Sequence, residues 1–144
     1  MKFDNTYMQM AKSIAMHSKA VRKKVGACLV TNHGIVIPAY NGTPAGMDNN
    51  CEEDKGYDEL TQSQILVTKP EVIHAELNCI LKAAKEGVSV VDSIVYVTLS
   101  PCVPCAAMMI QSGVRRVVFD QQYRDNSGIL LLKTAGVAVE HLGG

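Results

Sequence analysis

A chain of 144 residues, 47% of them hydrophobic, suits one domain spanning 1–144 around a single core. Lys+Arg and Asp+Glu balance at 14 each, so the formal net charge is zero, which argues against coating nucleic acid or membranes by bulk charge but leaves room for a local basic pocket. No apolar run nears the ~20 residues of a bilayer span, and the opening "MKFDNTYMQMAKSIA" has no signal-peptide core, so a soluble cytoplasmic protein with reduced thiols is expected.

In chain order, residues 3–20 place Phe3, Tyr7, Met10, Ala11, Ile14 and Ala15 near helical spacing. "VGACLVTNHGIVIPAYNG" is two apolar runs split by Asn32-His33-Gly34, which reads as a β-hairpin stopping near Asn41-Gly42. Residues 41–72 are polar and acidic with little periodicity, so a long mobile or functional loop with a short helix inside it is expected. "IHAELNCILKAAKE" (73–86) reads as a helix closed by Gly87. "SIVYVTLS" is a strand, "VPCAAMMIQSG" a helix with Pro104 in its first turn and Gly113 at its end, and "VRRVVFD" a strand. "SGILLLKTAG" is a helix ended by Gly136, and "VAVEHL" is the last strand.

The alternating second half implies right-handed crossovers between parallel strands, and the first hairpin adds an antiparallel pair. The expected fold is a three-layer α/β/α domain on a five-stranded mixed sheet whose last strands are parallel.

Five cysteines cannot all pair: Cys28, Cys51, Cys79, Cys102 and Cys105. Cys28 and Cys79 fall at core positions, and Cys51 lies in the acidic stretch. Cys102 and Cys105 sit where a strand gives way to a helix, whose N-terminus favours thiolates. A lone C-x-x-C is equally a redox pair or a structural metal site. His74 is the best third ligand, because it opens a helix, whereas His17, His33 and His141 fall late in a helix, in a turn and near the C-terminus. One His and two Cys leave a tetrahedral Zn²⁺ one open position, as in catalytic sites. Glu76, two residues on, is placed to carry protons at that position. A lone Glu at a helix start is ordinarily a favourable charge and no more. The conjunction H-x-E…P-C-x-x-C changes the reading, since that signature belongs to zinc deaminases whose Glu is no ligand.

With "YNGTPAG" (40–46), "HAELNCIL" (74–81), "YVTLSPCVPCAAMMIQSG" (96–113) and "VVFDQQYR" (117–124), the chain resembles the zinc-dependent cytidine and deoxycytidylate (dCMP) deaminases over nearly its whole length, phage-type enzymes above all. The resemblance implies hydrolysis of dCMP to dUMP and ammonia by water added at C4. It implies Zn²⁺ held by His74, Cys102 and Cys105, with Glu76 protonating N3 and then the leaving amine. It further implies that the Ala75 N–H meets the pyrimidine O2, that Asn41 hydrogen-bonds the deoxyribose, and that Tyr123 binds at the monophosphate end. Arg124 is the choice for the phosphate, with Lys23 or Lys24 in reserve. Family members are commonly hexamers activated by dCTP and inhibited by dTTP, with Mg²⁺ on the triphosphate, and Gly42, Thr43, Arg22, Lys23 and Lys24 are candidates for that regulatory site. A second, structural zinc found in some phage relatives is not expected, because residues 44–73 contain no His. Other readings are a deaminase of dCTP, guanine or tRNA adenosine, although no basic stripe accompanies the site. A further one is a zinc-stabilised binding protein without turnover.

Overall fold

The computed structural model describes residues 2–143. Its elements run α1 (Asp4–Ala15), β1 (Gly26–Val30), β2 (Val36–Tyr40), β3 (Glu52–Asp58), β4 (Ser63–Thr68), α2 (Ala75–Lys85), β5 (Ile94–Leu99), α3 (Val103–Ser112), β6 (Arg116–Gln121), α4 (Ser127–Thr134) and β7 (Ala138–His141). Five strands form one mixed sheet in the order β2-β1-β5-β6-β7. β1 pairs antiparallel with both β2 and β5, while β5–β6 and β6–β7 are parallel. Among the described residues no helix is long and apolar enough to cross a membrane.

Strand alternation sorts the core into two faces. Ala27 and Leu29 of β1, Val95 and Val97 of β5, and Val117 and Phe119 of β6 face α2, α3 and α4. Cys28, Tyr96 and Val118 turn the other way, onto Met8 and Ala11 of α1. The layers are therefore α1, the sheet, and the three later helices. Burying each of the larger side chains stabilises the fold by roughly 1.5–3 kcal/mol relative to exposure. Helix α1 lies close enough that a Cβ on Gly26 would come within 1.9 Å of the Ala11 carbonyl oxygen, so β1 must begin with glycine.

A buried ionic knot fastens α1 to the sheet. The Arg116 guanidinium grips Asp4 with two bonds of 2.7 and 2.9 Å and donates to Glu140 at 3.0 Å. The Tyr96 hydroxyl donates to Asp4 at 2.7 Å. One carboxylate thus links α1 to β5 and β6, and through Arg116 to β7.

Two expectations need correction. Residues 41–72 hold no helix: β3 and β4 make an antiparallel two-stranded arm, with Glu52 opposite Thr68 and Asp58 opposite Ser63. Most of its side chains are exposed on both faces, so no period-2 apolar signal exists to announce it. The first helix stops at Ala15 rather than continuing to 20, and an irregular segment leads from it to Gly26. That segment has a part in the site.

Candidate active site

Two helix starts converge at the end of β5. The chain enters α2 through an isolated antiparallel bridge, in which Gly42 N–H donates to the Ile73 carbonyl at 3.1 Å and Ile73 N–H returns to Gly42 at 2.8 Å. His74 follows as the N-cap residue with extended backbone (φ −68°, ψ 153°), and Cys102 caps α3 in the same way (φ −76°, ψ 170°). Neither side chain makes a capping hydrogen bond among the described residues, so both are left to point at a shared position. Pro104 in the first turn of α3 presets the backbone there, and Cys105 follows it. From outside, α4 presses on this corner: a Cβ on Gly128 would lie 2.0 Å from the Pro101 carbonyl oxygen.

His74 Nδ1 lies 3.2 Å from Cys105 Sγ and 3.5 Å from Cys102 Sγ. The three donor atoms all fall within 4.8 Å of one another. A tetrahedral centre with Zn–N and Zn–S bonds of ordinary length separates such donors by about 3.5 Å. One imidazole and two thiols at this spacing fit zinc, and the two helix N-termini favour the thiolate forms it requires. The sulfurs are electrostatically unlike. A hydrogen bond from Cys105, seconded by His74, brings Cys102 down to about 4. Cys105 is pushed far up by that neighbouring thiolate and by burial. His74 is held above its ordinary value, chiefly by its hydrogen bond to Cys102.

Glu76 is 3% exposed, in the first turn of α2. Burial pushes its carboxyl up to about 7, against the opposing pulls of its own backbone N–H and of His74. An acid that exchanges a proton near neutrality is suited to general acid–base work.

A cavity of about 340 Å³ opens over these groups. His74, Ala75, Glu76 and Cys102 form one part of its wall, and Asn41, Tyr123, Arg22 and Lys23 form others. Tyr123 is fixed by its N–H, which donates to Ser100 Oγ at 2.7 Å. Asn41 is a strut: Oδ1 accepts from Val25 N–H at 2.9 Å and Nδ2 donates to the Lys23 carbonyl at 2.9 Å, leaving one amide hydrogen for anything else. Arg22 and Lys23 line the cavity, where Lys23 Nζ donates to Gln121 Oε1 at 2.8 Å and Arg22 Nη1 to Thr68 Oγ1 at 3.3 Å. Arg124 is exposed, and neither it nor Lys24, Gly42 or Thr43 lines the cavity. A larger depression of about 680 Å³ over the outer face of α1 contains none of the ligand group.

Sequence reasoning missed Glu52, Cys51, Thr68 and Ser100 as wall residues. Glu52 and Cys51 were hidden in a run of acidic and polar residues that reads as solvated surface, yet both are buried.

The chain is similar to known proteins over most of its length. The family described as the cytidine and deoxycytidylate deaminase zinc-binding region matches residues 1–121. The deoxycytidylate deaminase of Enterobacteria phage T4 is 33% identical over 168 aligned positions, covering 94% of this chain and 87% of its own. The mouse deoxycytidylate deaminase is 39% identical over 138 positions, covering 91% of this chain and 74% of its own. The crystal structure of the dCMP deaminase from cyanophage S-TIM5, in complex with dCMP and dUMP, superposes with a TM-score of 0.82 at 36% identity, covering 98% and 97% of the two chains.

Proposed function

Because the chain belongs to the cytidine and deoxycytidylate deaminase family, we propose that it hydrolyses dCMP to dUMP and ammonia. The observation that carries this reading is the buried Glu76 beside the His74–Cys102–Cys105 triangle, in one cavity with two cations.

His74, Cys102 and Cys105 are the residues to hold zinc, and zinc bound by such a set brings the pKa of water down toward neutrality. Glu76 accepts one proton from the attacking water and delivers it to N3 of the cytosine ring, then takes the second from the hydroxyl newly bonded to C4 and gives it to the amino group, which leaves as ammonia as the C4–N bond breaks. A carboxyl raised to about 7 can both take and give a proton near neutral pH. The Ala75 N–H, at the positive end of α2, serves the pyrimidine O2 in this reading. Tyr123 walls the nucleotide, and Arg22 and Lys23 stand where a 5′-phosphate needs cations, with Arg124 and Lys24 outside the wall. Asn41 serves the sugar by holding the Lys23–Val25 backbone and offering its remaining N–H.

On the family resemblance alone, the same reading extends to a cytoplasmic hexamer activated by dCTP and inhibited by dTTP, with Mg²⁺ on the triphosphate. Gly42, Thr43, Arg22, Lys23 and Lys24 are its candidate effector contacts. Ammonia release from dCMP, dCTP, deoxycytidine and guanine tests the substrate, with dCMP expected to be turned over best. Equal or better turnover of another member of that set overturns it. Repeating the dCMP titration with dCTP and dTTP tests regulation, which fails if neither changes rate or cooperativity.

A further inference from the structure

Glu52 opens β3 and is 4% exposed, yet it lines the cavity. Its Oε2 accepts from Val21 N–H at 3.0 Å and from Arg22 N–H at 3.2 Å. Its Oε1 is equally buried and has no hydrogen-bond partner among the described residues. A buried carboxylate oxygen left unpaired costs a large desolvation penalty, so native structures supply it with a donor. The two backbone bonds fix the carboxylate in place, so Oε1 cannot swing toward water without surrendering them.

The chemistry of the surroundings selects the donor. A carboxylate repels phosphate, so Oε1 cannot face the 5′-phosphate that Arg22 and Lys23 would hold. The base belongs at the other end, against His74, Glu76 and Ala75. Between them lies the sugar, and a 5′-linked 2′-deoxynucleotide offers a single free sugar donor, the 3′-hydroxyl. We propose that Glu52 is a substrate-binding and specificity residue whose Oε1 accepts a hydrogen bond from the 3′-hydroxyl of a free deoxynucleotide. The assignment rests on the dCMP reading above. It also implies a selection rule. In a polynucleotide the 3′-oxygen is esterified, which removes the donor and sets a phosphate against the buried carboxylate, so the site favours monomers over strands.

The test is a substrate-by-variant cycle with dCMP and 2′,3′-dideoxycytidine 5′-monophosphate, read as kcat/KM. The wild-type enzyme is expected to lose about 10- to 100-fold when the hydroxyl is removed, the worth of a hydrogen bond to a charged group. In Glu52→Ala the two substrates should differ by no more than about threefold. If Glu52 only clamps the Val21–Arg22 backbone, both substrates fall by one common factor and the wild-type ratio persists, which overturns the proposal. Glu52→Gln, which keeps an oxygen for the Val21 and Arg22 N–H groups, covers the case in which the alanine variant does not fold. Its ratio should drop at least about threefold below wild type, because a neutral amide makes the weaker bond. An unchanged ratio overturns the proposal here too. A wild-type enzyme that turns over dCMP but ignores loss of the hydroxyl overturns the Glu52 assignment alone. One that does not turn over dCMP overturns the substrate reading and this assignment with it.

Discussion

His74 Nδ1 and Cys105 Sγ lie 3.2 Å apart although 31 residues separate them in the chain. The contact exists because α2 and α3 begin side by side, each with a ligand at or next to its capping position. Metal affinity is therefore a property of how two helix starts meet.

Replacing one donor should empty the site. His74→Ala or Cys102→Ser is expected to lower zinc affinity by at least about tenfold, measured as metal retained per chain after dialysis against a graded chelator. Zinc bound at wild-type affinity by Cys102→Ser would remove that residue from the ligand set.

Glu76→Gln separates metal binding from proton transfer. Zinc content should stay at the wild-type level while kcat falls by about 10²- to 10⁴-fold, the usual worth of a general acid–base group. Atomic absorption on the purified variant and steady-state ammonia release give the two readouts. Activity retained at wild-type level removes Glu76 from the mechanism.

Arg22→Ala and Lys23→Ala should each raise KM for dCMP by about tenfold or more, as loss of a charge-assisted phosphate contact does. Turnover of the unphosphorylated nucleoside should hardly change. Arg124→Ala, outside the cavity wall, should leave KM for dCMP within about twofold of wild type. A large effect at Arg124 with none at Arg22 or Lys23 would reverse the phosphate assignment.

The Asp4–Arg116 pair governs acid stability. The guanidinium holds the Asp4 carboxyl well below the usual carboxylate range, and Arg116 lowers Glu140 as well. A carboxyl depressed in the folded state contributes stability that is complete above its unfolded pKa of about 4 and is lost as pH falls through its folded value. Asp4→Asn leaves the buried Arg116 short of a counter-ion and should cost about 3–5 kcal/mol at pH 7. The gap in Tm between variant and wild type should then narrow steadily below about pH 4. A gap that is independent of pH would mean that packing, not charge, is what the substitution removes.

The ligand set and its proton carrier were legible in the sequence because His74, Glu76, Cys102 and Cys105 all sit within one turn of a helix start, where spacing alone fixes direction. The alternating strands β1, β5 and β6 were legible for a related reason: each buries both faces under helices and is written in apolar residues. The arm β3–β4 was not, since its pairing is carried by backbone groups between exposed side chains such as Glu53 and Val67. The phosphate end was also unreadable. Which cation reaches the cavity depends on the irregular path from Met16 to Val25, held by Asn41 and Glu52 across gaps of 16 to 31 residues. No local periodicity records a path of that kind.

Gly128 offers no donor to the ligand group, yet α4 rests on the Pro101 carbonyl and the Cys102 backbone through its missing side chain. Helix α4 thus acts as a gauge for the start of α3. A single methyl at Gly128 would displace the Pro101–Cys102 corner and respace the two sulfurs. Zinc affinity can therefore be tuned from a residue with no donor atom of its own, and selection for tight metal binding reaches into the helix that follows the site.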